Sequence, residues 1–179
     1  MAAPTLFDGS ALLLQEDLLH GEESAPSHVD QVPFSRLAAS LRQAVAGLDH
    51  ECALLVLELD HLIDCEPEQQ MQMLDHVVAV VRANIRRTDI LERLGPYTIA
   101  VALPGSARTG MTRVADMVRQ RVGASSLESG DVLSTTVTIG AVHASESALA
   151  DPEDLLLAAL VNLDSARAAG RNRTNWSDF

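Results

Sequence analysis

The run Ala53 to Leu59 (ALLVLEL) constrains this chain more than any other stretch. Six of its seven residues are apolar, and it is too short for an ordinary helix. It reads as a buried strand. The segments around it alternate in period. Leu37, Leu41, Val45 and Leu48 recur at helical spacing, which predicts an amphipathic helix over Phe34 to Leu48. Pro67 to Ile85 is helical, with Leu74, Val77, Val78, Val81 and Ile85 on one face. Asp89 to Leu94 and Tyr97 to Leu103 are two strands joined at Gly95-Pro96, a hairpin. Met111, Val114, Ala115, Val118 and Val122 mark a further helix. Leu133 to Gly140 alternates and is rich in β-branched residues, hence a strand. Asp151 is an N-cap followed by Pro152 at the first helical position, and that helix runs to about Ala169 before Gly170 ends it.

After the leading helix the order is β-α-β-β-α-β, then a final helix. This is an α+β chain with a βαββαβ palm or ferredoxin-like core. The expected result is a mostly antiparallel central sheet flanked by helices, with the helices on one face. Residues 1–33 differ from the rest. Leu6 to Leu19 is a broken apolar stretch, and Gly21 to Pro33 is acidic and contains Pro and Ser. They read as an appended segment and linker before a domain at 34–179, packing on that domain or on a partner.

The chain has 179 residues, and its formal net charge of -12 excludes non-specific binding to long nucleic acid or to an anionic membrane. No apolar run approaches the ~18 residues of a membrane span, and the amino-terminal region has no basic stretch before an apolar core, so a cytoplasmic location is expected. Cys52 and Cys65 lack the spacing of a zinc site or a disulfide framework. The six His show no paired ligand spacing, and no metal or other cofactor is expected. All thirteen basic residues are Arg. Coding bias accounts for this, and so does the use of a planar fork to grip phosphate or a base.

Several ordered stretches resemble the diguanylate cyclase, or GGDEF, domain from about Phe34 to Arg173. LVLELDHL (Leu55 to Leu62) resembles the first strand and its metal-binding turn. RRTDILERLGPYTIAVALPG (Arg86 to Gly105) resembles the hairpin whose turn carries the family signature. TTVTIGAV (Thr135 to Val142) and AALVNLDSARAAGRNR (Ala158 to Arg173) resemble the later strand and the last helix.

The departures are equally specific. The signature reads Gly95-Pro96-Tyr97-Thr98-Ile99, so Pro96 replaces a flexible Gly, and Tyr97 and Thr98 replace two carboxylates. The resemblance implies that the first of those carboxylates and a strand-end Asp hold a divalent metal. Glu58 stands at that Asp, able to ligate a cation, but one carboxylate is a poor site for a hard ion. The loop Asp64-Cys65-Glu66-Pro67 is shortened, and Met71 falls where the family reads guanine with an Asp. Arg167 replaces a phosphate-binding Lys, and Asp164 a Tyr. These departures imply a catalytically inactive member, because phosphoryl transfer depends on metal and positioning.

The resemblance also implies one retained feature. Arg86-Arg87-Thr88-Asp89 stands five residues before Gly95, the place of the family's RxxD inhibitory site, which binds cyclic di-GMP. Arg86 can reach a guanine Hoogsteen edge or a phosphate, and Asp89 can accept from the guanine N1–H and amine. The motif is expected at an exposed helix-to-strand corner. A helix-ending Arg and a turn Asp explain the same string structurally. The family's second arm falls on Met117, with Arg113 or Arg119 as substitutes, and Arg82 as a further lining residue. Arg82, Arg86, Arg87 and Arg93 are expected around one corner, beside Arg113, Arg119 and Arg121. Met71 and Met73 are expected to fill the core. Gly170-Arg171-Asn172-Arg173 reads either as a phosphate-contacting loop or as a helix cap with a short return strand.

The expected function is that of a cyclic di-GMP receptor or signalling adaptor with a protein partner or self-association. The alternatives are an interaction module that binds no nucleotide and, last, a residual cyclase or GTP-binding regulatory domain.

Overall fold

The computed structural model describes residues 31–45, 51–62, 65–124, 135–145 and 151–179. Residues 1–30 of the appended segment, Leu48, Asp64, Leu133 and Ser134 lie outside the described residues, whereas Gln31 to Pro33, expected in the linker, form the start of the first helix. The elements are α1 (Gln31–Val45), β1 (Cys52–Leu59), α2 (Pro67–Arg82), β2 (Ile90–Arg93), β3 (Thr98–Pro104), α3 (Arg108–Gly123), β4 (Val137–Ala144), α4 (Pro152–Ala168) and β5 (Thr174–Asp178). The expected order is present, with shifted ends. α2 stops at Arg82, three residues before Ile85, and β4 runs past Gly140 to Ala144.

The sheet order is β2-β3-β1-β4-β5. β1 is central and antiparallel to both β3 and β4, while the edge strand β5 pairs parallel to β4. The helices do not lie on one face as expected. They cover both. A strand with two buried faces needs an apolar layer on each side. Ala53, Leu55, Leu57 and Leu59 pack in one core with Leu74, Val77 and Val81 of α2 and Met111, Ala115, Val118 and Val122 of α3. Leu54 and Val56 pack in a second core with Leu37 of α1 and Leu155, Leu156, Ala159 and Leu163 of α4. Strand period two sorts β1 into these layers by parity.

Asp151 caps α4 by accepting from Glu153 N at 2.9 Å, with Pro152 at the first position, as the sequence indicated. That helix sits directly on β4 at Gly140. A Cβ there would lie 2.1 Å from Ala159 O and 2.2 Å from Leu163 N. Met73 is buried, whereas Met71 is 61% exposed, so only one of the two fills the core. No described helix is long and apolar enough to cross a membrane.

Candidate functional site

The sheet carries two groups of chemistry-bearing residues, one at each end of β3. The five-residue step from Thr98 to Leu103 separates them by about 17 Å at strand rise.

The first group forms where β1 ends. Glu58 pairs across the sheet with Thr98 on one side and Thr138 on the other. Its even parity turns it toward α4, and Asp60 leaves the strand on the same side. The Arg167 guanidinium grips Glu58 through two prongs, Nε to Oε1 at 2.8 Å and Nη2 to Oε2. Its Nη1 donates to Asp164 Oδ1 at 2.6 Å. Arg171 Nη1 lies 3.4 Å from Glu58 Oε1 and 3.5 Å from Asp60 Oδ1. Burial alone would lower the pKa of Arg167, but the hydrogen bond and charge of Glu58, followed by Asp164, hold it above the usual arginine value.

Asp60 is fully buried. It accepts from Thr136 Oγ1 at 2.6 Å, from Thr138 Oγ1 at 2.7 Å and from Asn172 N at 3.3 Å. The sequence reading assigned it no role, although strand parity links it to Glu58. The Gly-Arg-Asn-Arg string wraps this carboxylate. Gly170, Arg171 and Asn172 all have positive φ, a left-handed turn that feeds β5. Between its two readings, helix cap with return strand is the one the geometry displays.

The hairpin turn closes the same end. Arg93 does not join the arginine corner. Its Nε and Nη2 donate to Gly95 O at 2.9 Å and Pro96 O at 3.1 Å. Tyr97 donates its hydroxyl to Gln70 Oε1 at 2.6 Å, and Gln70 Nε2 donates to Leu62 O and Cys65 O at 2.9 Å. Thr98 is buried. A divalent cation does not fit this donor set. Glu58 is already held by two guanidinium groups, and its neighbours at the turn are a phenol and a hydroxyl. Among the described residues no three His, Cys, Asp or Glu side chains converge to hold a metal.

The second group surrounds a concavity of about 320 Å³ between the α2–β2 turn and α3. Arg86, Asp89, Arg113 and Met117 line it, together with Asn84 and Ser106. Three of the five residues expected to bind ligand therefore meet in one place. Arg82 and Arg87 are not in its lining. Arg82 Nη2 faces Leu91 O at 3.5 Å. Arg119 points elsewhere, to Asn172 O at 3.4 Å and Asp116 at 3.8 Å, so Arg113 is the arginine of α3 at this concavity. Asp89 differs from the expected exposed corner, being 7% exposed. Its Oδ2 accepts from Arg86 N at 2.6 Å, and the residue lines the concavity. Arg86 itself is exposed.

Residues 34–173 match the family described as "Diguanylate cyclase, GGDEF domain". The protein YhcK of Bacillus subtilis (strain 168) is 29% identical over 152 residues, which cover 81% of this chain and 42% of that protein. The chain thus spans under half the length of this curated relative. The GGDEF domain of DgcB from Caulobacter crescentus, solved in complex with c-di-GMP, superposes with a TM-score of 0.69 at 20% identity, over 79% of this chain and 86% of that one. The active GGEEF domain of a diguanylate cyclase from Vibrio cholerae gives a TM-score of 0.70 at 17% identity, over 79% of this chain and 94% of that one. The chain belongs to the GGDEF domain family.

Proposed function

We propose that this GGDEF domain receives cyclic di-GMP and passes the signal to a protein partner or a second copy of itself, in the cytoplasm and without cyclase activity. One observation carries the reading. Arg86, Asp89 and Arg113 line one concavity, while Glu58 at the other end of the sheet is paired internally. The concavity presents two guanidinium forks and one carboxylate, a local excess of positive charge on an acidic chain. That suits a small phosphate-bearing ligand and not a long polyanion. In this reading Arg86 and Arg113 address phosphate or the guanine Hoogsteen edge, and the Asp89 carboxylate accepts from the guanine N1–H and amine. The solved DgcB structures hold c-di-GMP, which supports the choice of ligand class.

Metal-dependent cyclisation finds less support. Glu58 offers its oxygens to guanidinium groups, and Pro96, Tyr97 and Thr98 supply no carboxylate at the turn. Residues 1–33 supply the partner or self-association contact in this reading.

A second reading, an interaction module that binds no nucleotide, is favoured by one contact. Asp89 already completes its own turn with Arg86 N. Calorimetric titration with cyclic di-GMP separates the two. Binding that Arg86→Ala and Asp89→Ala remove supports the receptor. Absence of heat at tens of micromolar ligand leaves the interaction module. Incubation with GTP and magnesium tests the third reading, since cyclic di-GMP appearing in the mixture establishes a residual cyclase.

A further inference from the structure

We infer that Arg167 is a built-in cation, a side chain that does for the end of β1 what a bound divalent ion would otherwise do. The inference does not depend on cyclic di-GMP binding.

The end of β1 brings together two carboxylates that are nearly or fully removed from water. The Glu58 side chain is 15% exposed and that of Asp60 is 0% exposed. Two carboxylates on the same face of one strand end repel each other and lose hydration. They persist only where positive charge or hydrogen bonds compensate. Asp60 takes most of its compensation from hydroxyl and backbone donors, Thr136, Thr138 and Asn172 N. Glu58 takes its compensation from arginine. Arg167 contributes a two-pronged grip and is itself only 9% exposed. Arg171 stands between both carboxylates. The inner cluster is balanced, two negative charges against two positive ones, with Asp164 outside it at 63% exposure.

Position makes this more than an ordinary ion pair. Arg167 comes from the last turns of α4 and Arg171 from the left-handed turn that follows. The pair therefore fixes α4, the turn and the strand end to one another. A divalent ion would have to displace two guanidinium groups to reach Glu58, while Asp60 is already engaged by Thr136, Thr138 and Asn172 N, and one available carboxylate is unfavourable for an ion needing several oxygens. Removal of Arg167 leaves two negative charges against the single positive charge of Arg171. Glu58 and Asp164 are then left without its charge, facing the space that its guanidinium filled. That arrangement recruits a hard cation.

Thermal unfolding of the full chain at low ionic strength tests this, with millimolar magnesium or with EDTA. The melting temperature of the wild type is expected to be the same in both. Arg167→Ala is expected to melt lower in EDTA by roughly 6–12 °C and to regain part of that loss in magnesium. Arg167→Lys, which keeps the charge but not the fork, is expected to retain most of the stability and to ignore magnesium. The double variant Arg167→Ala, Glu58→Gln is expected to lose the magnesium response. Arg167→Gln serves as the second variant and carries the same expectations as Arg167→Ala. A magnesium-dependent rise in the wild type overturns the inference. So does an unchanged melting temperature for Arg167→Ala, or a loss of stability that magnesium leaves untouched in both single neutral variants.

Discussion

Tyr97 and Gln70 join the hairpin turn to the first turn of α2 through a hydroxyl-to-amide hydrogen bond of 2.6 Å. The two residues come from different layers of the sequence, 27 positions apart. Gln70 spends its amide protons on Leu62 O and Cys65 O, so its oxygen is presented to Tyr97 in a set orientation. Tyr97 also offers its backbone oxygen to Leu59 N at 3.1 Å, which ties the turn to the end of β1. A signature position thus acts as a latch over the strand end.

Tyr97→Phe keeps the ring and deletes the hydroxyl. The expected loss is about 1 kcal/mol, the net worth of one neutral hydrogen bond at a partly exposed place. Urea unfolding checks it. A loss above about 3 kcal/mol would mean that the latch organises more of the strand end than one bond explains.

Gly140→Ala places a methyl group against the α4 backbone, 2.1 Å from Ala159 O. The atoms it meets are α4 backbone, which cannot rotate away as a side chain does. The expected destabilisation is about 3 kcal/mol or more, at the upper end for overpacking. Chemical denaturation reads the value. An unchanged midpoint would show that α4 can lift from β4 at no cost.

Cys52 gives a pH dependence. Burial pushes its thiol up to about 11 from an ordinary value of 9.0, with the charge of Asp89 adding to the rise and a backbone hydrogen bond with Leu103 opposing it. The unfolded chain loses this proton first, so the contribution is fully present below pH 9.0 and is lost as the pH rises through about 11. The total is on the order of 2–3 kcal/mol. Cys52→Ala should flatten that part of the stability curve between those pH values. Alkylation at mildly alkaline pH should modify Cys65 well before Cys52, which mass spectrometry reads directly.

Within the receptor reading, the arginines of α3 are not equivalent. Arg113 lines the concavity and Arg119 faces Asn172. Arg113→Ala should weaken cyclic di-GMP binding by roughly 10- to 100-fold, the loss of one charge-assisted contact. Arg119→Ala should leave affinity nearly unchanged. Met117→Arg should strengthen binding, since Met117 lines the same concavity. Equal effects from Arg113 and Arg119 would count against this geometry.

Much of the fold was legible because its signals are local. The apolar run of β1, the 3.6-residue spacing of Leu74, Val77 and Val81, and the Asp151-Pro152 start of α4 each depend on neighbours within a few residues. The approximate ends were less legible, because Ile85 continues the apolar pattern after the α2 hydrogen bonds have stopped. The concavity was partly legible. Arg86 and Asp89 share a turn, so spacing alone connects them, and α3 brings Arg113 to the same place.

The sequence by itself determined which elements form and in what order, because period and capping are properties of adjacent residues. Its net charge of -12 also carries the expectation that long nucleic acid is not a ligand, since net charge needs no structure. Only the tertiary structure decided what the charged residues touch. Glu58 was a possible cation ligand and Arg167 a possible phosphate partner, yet they hold each other across 109 residues. Arg93 and Arg119 looked like members of one arginine corner, yet each donates to carbonyl oxygens elsewhere. Asp60 had no assigned part and became the buried acceptor on which Thr136, Thr138 and Asn172 converge. Long-range pairing of this kind follows from sheet register and strand parity, which fix a side chain's partners only once the strands lie side by side.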